Sequence, residues 1–174
     1  MQFNTYGGAA ARLGAALANL GPDAETAQVM VVMREFWTGP AEPDEAEAAE
    51  LVEWGARLRA VFTAGSDTAK VAVLNELLAD VAARPFLSTH DGQPPHLHYT
   101  ADSGRLSARV RAQTAAGLAV LLADSGARRL GACAAPGCAT VFVDTSRAGR
   151  RTYCTPTCAT RVNVAAHRAR RVRG

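Results

Sequence analysis

All four cysteines of the chain fall in its last quarter. They form two pairs, Cys133-Ala134-Ala135-Pro136-Gly137-Cys138 and Cys154-Thr155-Pro156-Thr157-Cys158, with fifteen residues between them. Two close pairs joined by a loop of this length have the spacing of a tetrahedral zinc site. Each short turn aims two thiolates at one point, and the loop folds the pairs together. Pro136 fixes φ and Gly137 tolerates positive φ, which suits the first turn. Two other readings of the thiols fit less well. Disulfides need an oxidising compartment, and Met1-Gln2-Phe3-Asn4-Thr5 has neither the basic start nor the apolar core of a secretory signal. A redox pair would take the Cys-x-x-Cys spacing, which neither pair has. With four thiolate ligands the coordination shell is closed, so one Zn2+ here is structural and leaves no position for a substrate.

The charge distribution divides the chain at about the same place. Residues 1–125 hold nine Lys/Arg against fifteen Asp/Glu, a net of −6, whereas residues 126–174 hold ten Arg against Asp144 alone, a net of +9. Such a split fits a basic module built for an anionic partner beside an acidic domain with another task. Thr155 is placed to cap a helix with Pro156 at its first position, running to about Arg171. On it Arg161, Arg168 and Arg171 fall near one face, with Asn163, His167 and Arg170 beside them. Val162, Ala165, Ala166 and Ala169 are left for a packed side. Arg147, Arg150 and Arg151 lie on the loop between the cysteine pairs. The planar arginine fork binds phosphate bidentately and pairs with guanine edges, so the absence of lysine from this module fits nucleic-acid contact. On this reading, replacing Arg161 or Arg168 weakens binding and leaves zinc content unchanged. Three blander readings stand beside it: a solvated helix face, docking on the acidic half of the same chain, and the compositional bias of a GC-rich genome.

The run from Leu130 to Arg173 resembles the CGNR zinc finger. The matching stretches are Cys133-x4-Cys138, Phe142-Val143-Asp144-Thr145-Ser146-Arg147, Arg150-Arg151-x-Tyr153-Cys154 and the tail Arg161-Val162-Asn163-Val164-Ala165-Ala166-His167-Arg168-Ala169-Arg170-Arg171. The naming motif reads Cys158-Ala159-Thr160-Arg161 here, keeping its cysteine and arginine but not its glycine and asparagine. In bacterial proteins this finger follows an α/β unit called the ABATE domain. Phe3-Asn4-Thr5, Leu74-Asn75-Glu76-Leu77-Leu78, His96-Leu97-His98 and Arg109-Val110-Arg111-Ala112 are similar to that domain. The resemblance implies a bacterial, zinc-dependent, DNA-binding transcription regulator responding to stress.

The residues preceding the finger read as helices at 6–20, 23–37, 44–63, 67–81 and 104–124. Asp23 and Asp67 are candidate caps, Asp44, Glu45 and Glu47 suit the start of the third helix, and Val71, Leu74, Leu77 and Leu78 form the inner stripe of the fourth. Residues 84–88 and 95–100 read as short strands about the turn 91–94. The expected fold is therefore α+β and mainly helical. A helical domain with a short β-hairpin occupies 1–125, and a treble-clef-like or ribbon-like zinc module ending in a helix occupies 126–174. His96 and His98 share one strand face within reach of His90. They are a candidate ligand site, though two strand histidines more often fill surface or hydrogen-bonding roles.

No catalytic constellation is legible, and the chain is expected not to be an enzyme. No apolar run reaches the ~18–20 residues of a membrane span, so a cytoplasmic protein is expected. The favoured function is a DNA-binding regulator whose N-terminal domain senses a small-molecule effector or forms a homodimer. The alternative is a protein-interaction module, with an RNA target between the two.

Overall fold

The computed structural model describes residues 5–37, 42–81, 84–89, 95–99 and 104–173. Among them are α1 (Thr5–Ala18), α2 (Thr26–Phe36), α3 (Glu45–Thr63), α4 (Asp67–Val81), β1 (Phe86–Ser88), β2 (His96–His98), α5 (Leu106–Ser125), β3 (Leu130–Ala132), β4 (Val141–Val143) and α6 (Pro156–Arg173). The fold is α+β and mainly helical. Asp44 accepts a hydrogen bond from the Glu47 N–H at 2.8 Å and so starts α3. The two other expected caps are displaced. A capping box between Glu25 and Gln28, not Asp23, opens α2. Ser66 Oγ accepts from the Ala69 N–H ahead of α4, which places Asp67 inside the helix.

α1 is the hub, packed against α5, α3, α2 and β4. Its alanines decide how close the neighbours come. Ala10, Ala11, Ala15 and Ala18 are buried with Leu13 and Leu17, presenting little more than backbone to α3 and α5. Glycines answer them: a Cβ on Gly55 would lie 2.3 Å from the Leu17 carbonyl oxygen, and one on Gly117 would lie 2.5 Å from Ala10 Cβ. α5 is buried along most of its length from Leu106 to Leu121, because α1, α3 and α4 wrap it. Across this core Trp54 Nε1 donates to Thr114 Oγ1 at 2.9 Å, giving the buried indole its partner. Val71 departs from the expected stripe and is exposed, while Leu74 and Leu77 point inward.

β1 and β2 pair antiparallel, with Leu87 opposite Leu97 and Phe86 opposite His98. The second antiparallel pair, β3 with β4, is of a different kind. Its Leu130, Val141 and Val143 belong to the same apolar core as α1, α3 and α5. Polar ties reinforce that docking. Asn19 donates from Nδ2 to the Val141 carbonyl at 2.9 Å and accepts the Val141 N–H at 2.8 Å, matching the strand edge at two points. Arg59 donates to the carbonyls of Ala18 and Ala139. The ammonium of Lys70, its pKa lowered by burial, donates to those of Ala127 and Leu130. Asn19→Ala is expected to leave both polar groups of Val141 short of a partner, at a cost of about 1–3 kcal/mol. Denaturant unfolding checks this, and an unchanged midpoint would mean that water replaces both bonds.

Candidate metal centre and basic helix

The first cysteine pair lies on the turn between β3 and β4, and the second leads into the first turn of α6. This is the treble-clef-like alternative of the two expected. Three devices shape the knuckles. The Cys133 N–H donates to the Thr140 carbonyl at 2.9 Å, and the Cys138 N–H donates to that of Ala135 at 3.0 Å. Gly137 turns between them at φ +74. At the helix, Thr155 Oγ1 accepts the Cys158 N–H at 3.2 Å with Pro156 in the first position, as its residue types predict.

The four ligand atoms lie within 4.8 Å of one another, and all four cysteines are free thiols. Cys154 Sγ is 3.7 Å from Cys138 Sγ and 3.7 Å from Cys158 Sγ. A tetrahedron with Zn–S bonds of ~2.3 Å has edges of roughly 3.8 Å, whereas a disulfide needs ~2.05 Å. The sulfurs therefore fit a single structural zinc site. Hydrogen bonding from the Thr140 hydroxyl and N–H holds the Cys138 thiol down to about 6. Burial, followed by the neighbouring sulfurs, pushes Cys154 up to about 11. Thiolates this close repel one another, and a divalent cation is what lets all four ionise. Around the sulfurs is a second small core of Ala135 and Phe142, with Tyr153 and Val162 partly buried against it.

The seven arginines singled out by sequence divide into two groups. Arg151 donates to the carbonyls of Tyr153 and Cys154, and its guanidinium lies 5.0 Å over the Phe142 ring. Arg161 donates to the Pro136 carbonyl at 3.2 Å and reaches Cys158 Sγ at 3.9 Å, bracing α6 against the first knuckle. The arginine kept from the naming motif is thus part of the metal's surroundings. This corrects the expectation that zinc would be indifferent to Arg161: Arg161→Ala is expected to weaken zinc retention about 10–100-fold, the usual cost of losing a partner in the outer shell. Competition with a chromophoric chelator reads this directly, and unaltered retention would show that the brace is dispensable. The remaining five, Arg147, Arg150, Arg168, Arg170 and Arg171, are exposed. The ion pairs that join described residues all lie within 34–111, so none links these five to the acidic half.

The packed side expected from Val162, Ala165, Ala166 and Ala169 exists only at Val162; from Asn163 to Arg171 every side chain is exposed. Two residues that organise the loop carried no role in the sequence reading. Asp144 is fully buried and accepts the N–H groups of Ser146 at 2.9 Å and Arg151 at 2.7 Å. Burial alone would raise its pKa, but these hydrogen bonds hold it below the usual carboxylate range. Arg129, also buried, donates to the carbonyls of Asp144 at 2.9 Å and Ser146 at 2.6 Å. The available signal was that Asp144 is the lone acid in the basic segment.

His98 stacks on Phe86 with ring centroids 5.2 Å apart. His90 and the side chain of His96 lie outside the described residues. Among the described residues, the four cysteines are the one cluster suited to a metal. No helix among them is long and apolar enough to cross a membrane.

Two family models match the chain. The CGNR zinc finger covers residues 129–171, and the ABATE model, whose description is "Putative stress-induced transcription regulator", covers residues 3–125. No curated protein matches the chain significantly.

Proposed function

From a chain that belongs to the ABATE family and ends in a CGNR zinc finger, we propose a non-enzymatic transcription regulator that binds duplex DNA through its zinc-ordered basic end. One observation carries the reading. Arg147, Arg150, Arg168, Arg170 and Arg171 are exposed, and among the described residues no carboxylate pairs with them. Unspent cationic groups on the loop and on α6 fit a phosphate backbone. Zinc acts here by holding α6 and the loop in place. Residues 3–125 would then couple that surface to an effector or to a second copy of the chain.

An RNA target has less support. Phe142 is buried beneath Arg151 and Tyr153 is partly buried beside the sulfurs, so neither offers a free stacking face. The test is a selection of genomic duplex fragments by the full, zinc-loaded chain, followed by titration at several salt concentrations. Phosphates neutralised by Arg147, Arg150, Arg168 and Arg171 give a slope near −3.6, or roughly 150-fold weaker binding between 50 and 200 mM salt. Recovery of no DNA, or an affinity indifferent to salt, would favour a protein partner instead.

A further inference from the structure

α6 changes its surroundings halfway along. Cys158, Ala159 and Val162 are half-buried against the metal core, but Asn163 to Arg171 is exposed on every side, including Val164 at 43%. A helix resting on its own protein keeps one stripe covered. A free-standing half-helix is marginal in water and gains from being enclosed. The major groove of B-DNA, ~12 Å wide, encloses a helix of ~10–12 Å diameter. Charge selects that occupant, since residues 145–174 hold eight arginines and no Asp or Glu.

Within this free half the side chains divide by direction. Asn163, His167 and Arg170 stand at i, i+4 and i+7 and share a face. Arg171 and Arg168 lie progressively further round to one side, and Ala166 lies on the other. The three residues of the shared face have base-reading chemistry. A carboxamide pairs bidentately with adenine N6 and N7, a guanidinium pairs with guanine O6 and N7, and an imidazole N–H donates to a purine acceptor. From Asn163 to Arg170 the helix rises ~10 Å, or about three base pairs.

We infer that Asn163, His167 and Arg170 read base edges in the major groove, preferring purines on one strand, while Arg168 and Arg171 hold phosphates. This rests on the DNA-binding reading above. The test uses the full zinc-loaded chain and a randomised duplex library to define a preferred site, and then compares variants on that site and on a scrambled duplex. Asn163→Ala and His167→Ala, both at exposed positions, are expected to lower affinity for the preferred site by about tenfold each. Their loss on scrambled DNA should be far smaller. Arg170→Ala should weaken both, the preferred site more. Arg168→Gln with Arg171→Gln should weaken both duplexes alike and reduce the salt slope by about two. Zinc content and helicity, measured in parallel, show that each variant is folded. An unaltered preference in the Asn163 and His167 variants would overturn the assignment. Wild-type protein that binds without any preference would overturn it too, leaving DNA binding itself intact. No binding at all would overturn both.

Discussion

Replacing Cys154 with serine is expected to abolish zinc binding and disorder the tip of the molecule. Cys154 is the most connected of the ligands, 3.7 Å from two other sulfurs and donating its N–H to Cys133 Sγ at 3.3 Å. Structural zinc is worth on the order of 10–16 kcal/mol in small finger peptides at neutral pH. The few apolar residues around the sulfurs cannot replace that. The loss has a boundary, however. Leu130, Val141 and Val143 belong to the helical core, and Asn19, Arg59 and Lys70 hold the hairpin and its flanks from the helical side. The variant should therefore lose one equivalent of metal and the helicity of α6, and trypsin should cut at Arg147 and Arg150. α1 to α5 and the environment of Trp54 should survive. Elemental analysis, circular dichroism and limited proteolysis together check the outcome. Stoichiometric zinc with native protease resistance would refute the four-sulfur site.

Gly55→Ala should destabilise the helical part severely, although alanine is the better helix former by ~1 kcal/mol. The added methyl would lie 2.3 Å from the Leu17 oxygen and 2.9 Å from its carbon. Both are backbone atoms of the hub helix, which no rotamer change can move aside. α1 and α3 must then separate, loosening contacts around Leu17, Trp54 and Leu58, all nearly inaccessible to solvent. A net loss of about 3 kcal/mol is expected, lowering Tm by roughly 6–12 °C in a chain of this size. Calorimetry gives the answer. An unchanged Tm would mean that the two helices slide apart at no cost.

Local signals were the readable ones. The cysteine spacing contained the metal site, and Thr155-Pro156 marked the start of α6 within one turn. α3 and α4 followed from their apolar period and ended where expected, at Thr63 ahead of Gly65-Ser66 and at Val81. What could not be read depends on partners far along the chain. Asn19 falls inside the helix expected at 6–20 with nothing to set it apart, yet it follows α1 and its partner is 122 positions away. Lys70 meets Leu130 across 60 positions. β3 and β4 are three residues each, too short for alternation to show. The alanines of α6 were assigned a packed side because, with Val162, they fall together at helical spacing. Spacing alone does not reveal whether a neighbouring element is there to cover them. Arg151 and Arg161 were grouped with the free arginines because charge is visible in a sequence, whereas a carbonyl waiting to receive it is not.

The hairpin that carries the first knuckle is also a wall of the helical core, and only Gly126 and the single turn Ala127–Arg129 separate it from α5. On the DNA-binding reading proposed above, a finger on a tether would have to search for its groove and surrender orientational freedom on finding one. This one has almost no such freedom to surrender. Its bearing is set by α1 and α3, as a pointer is set by the dial beneath it. A tilt of either helix would carry the hairpin and its knuckle with it, with no contact at the metal needing to break.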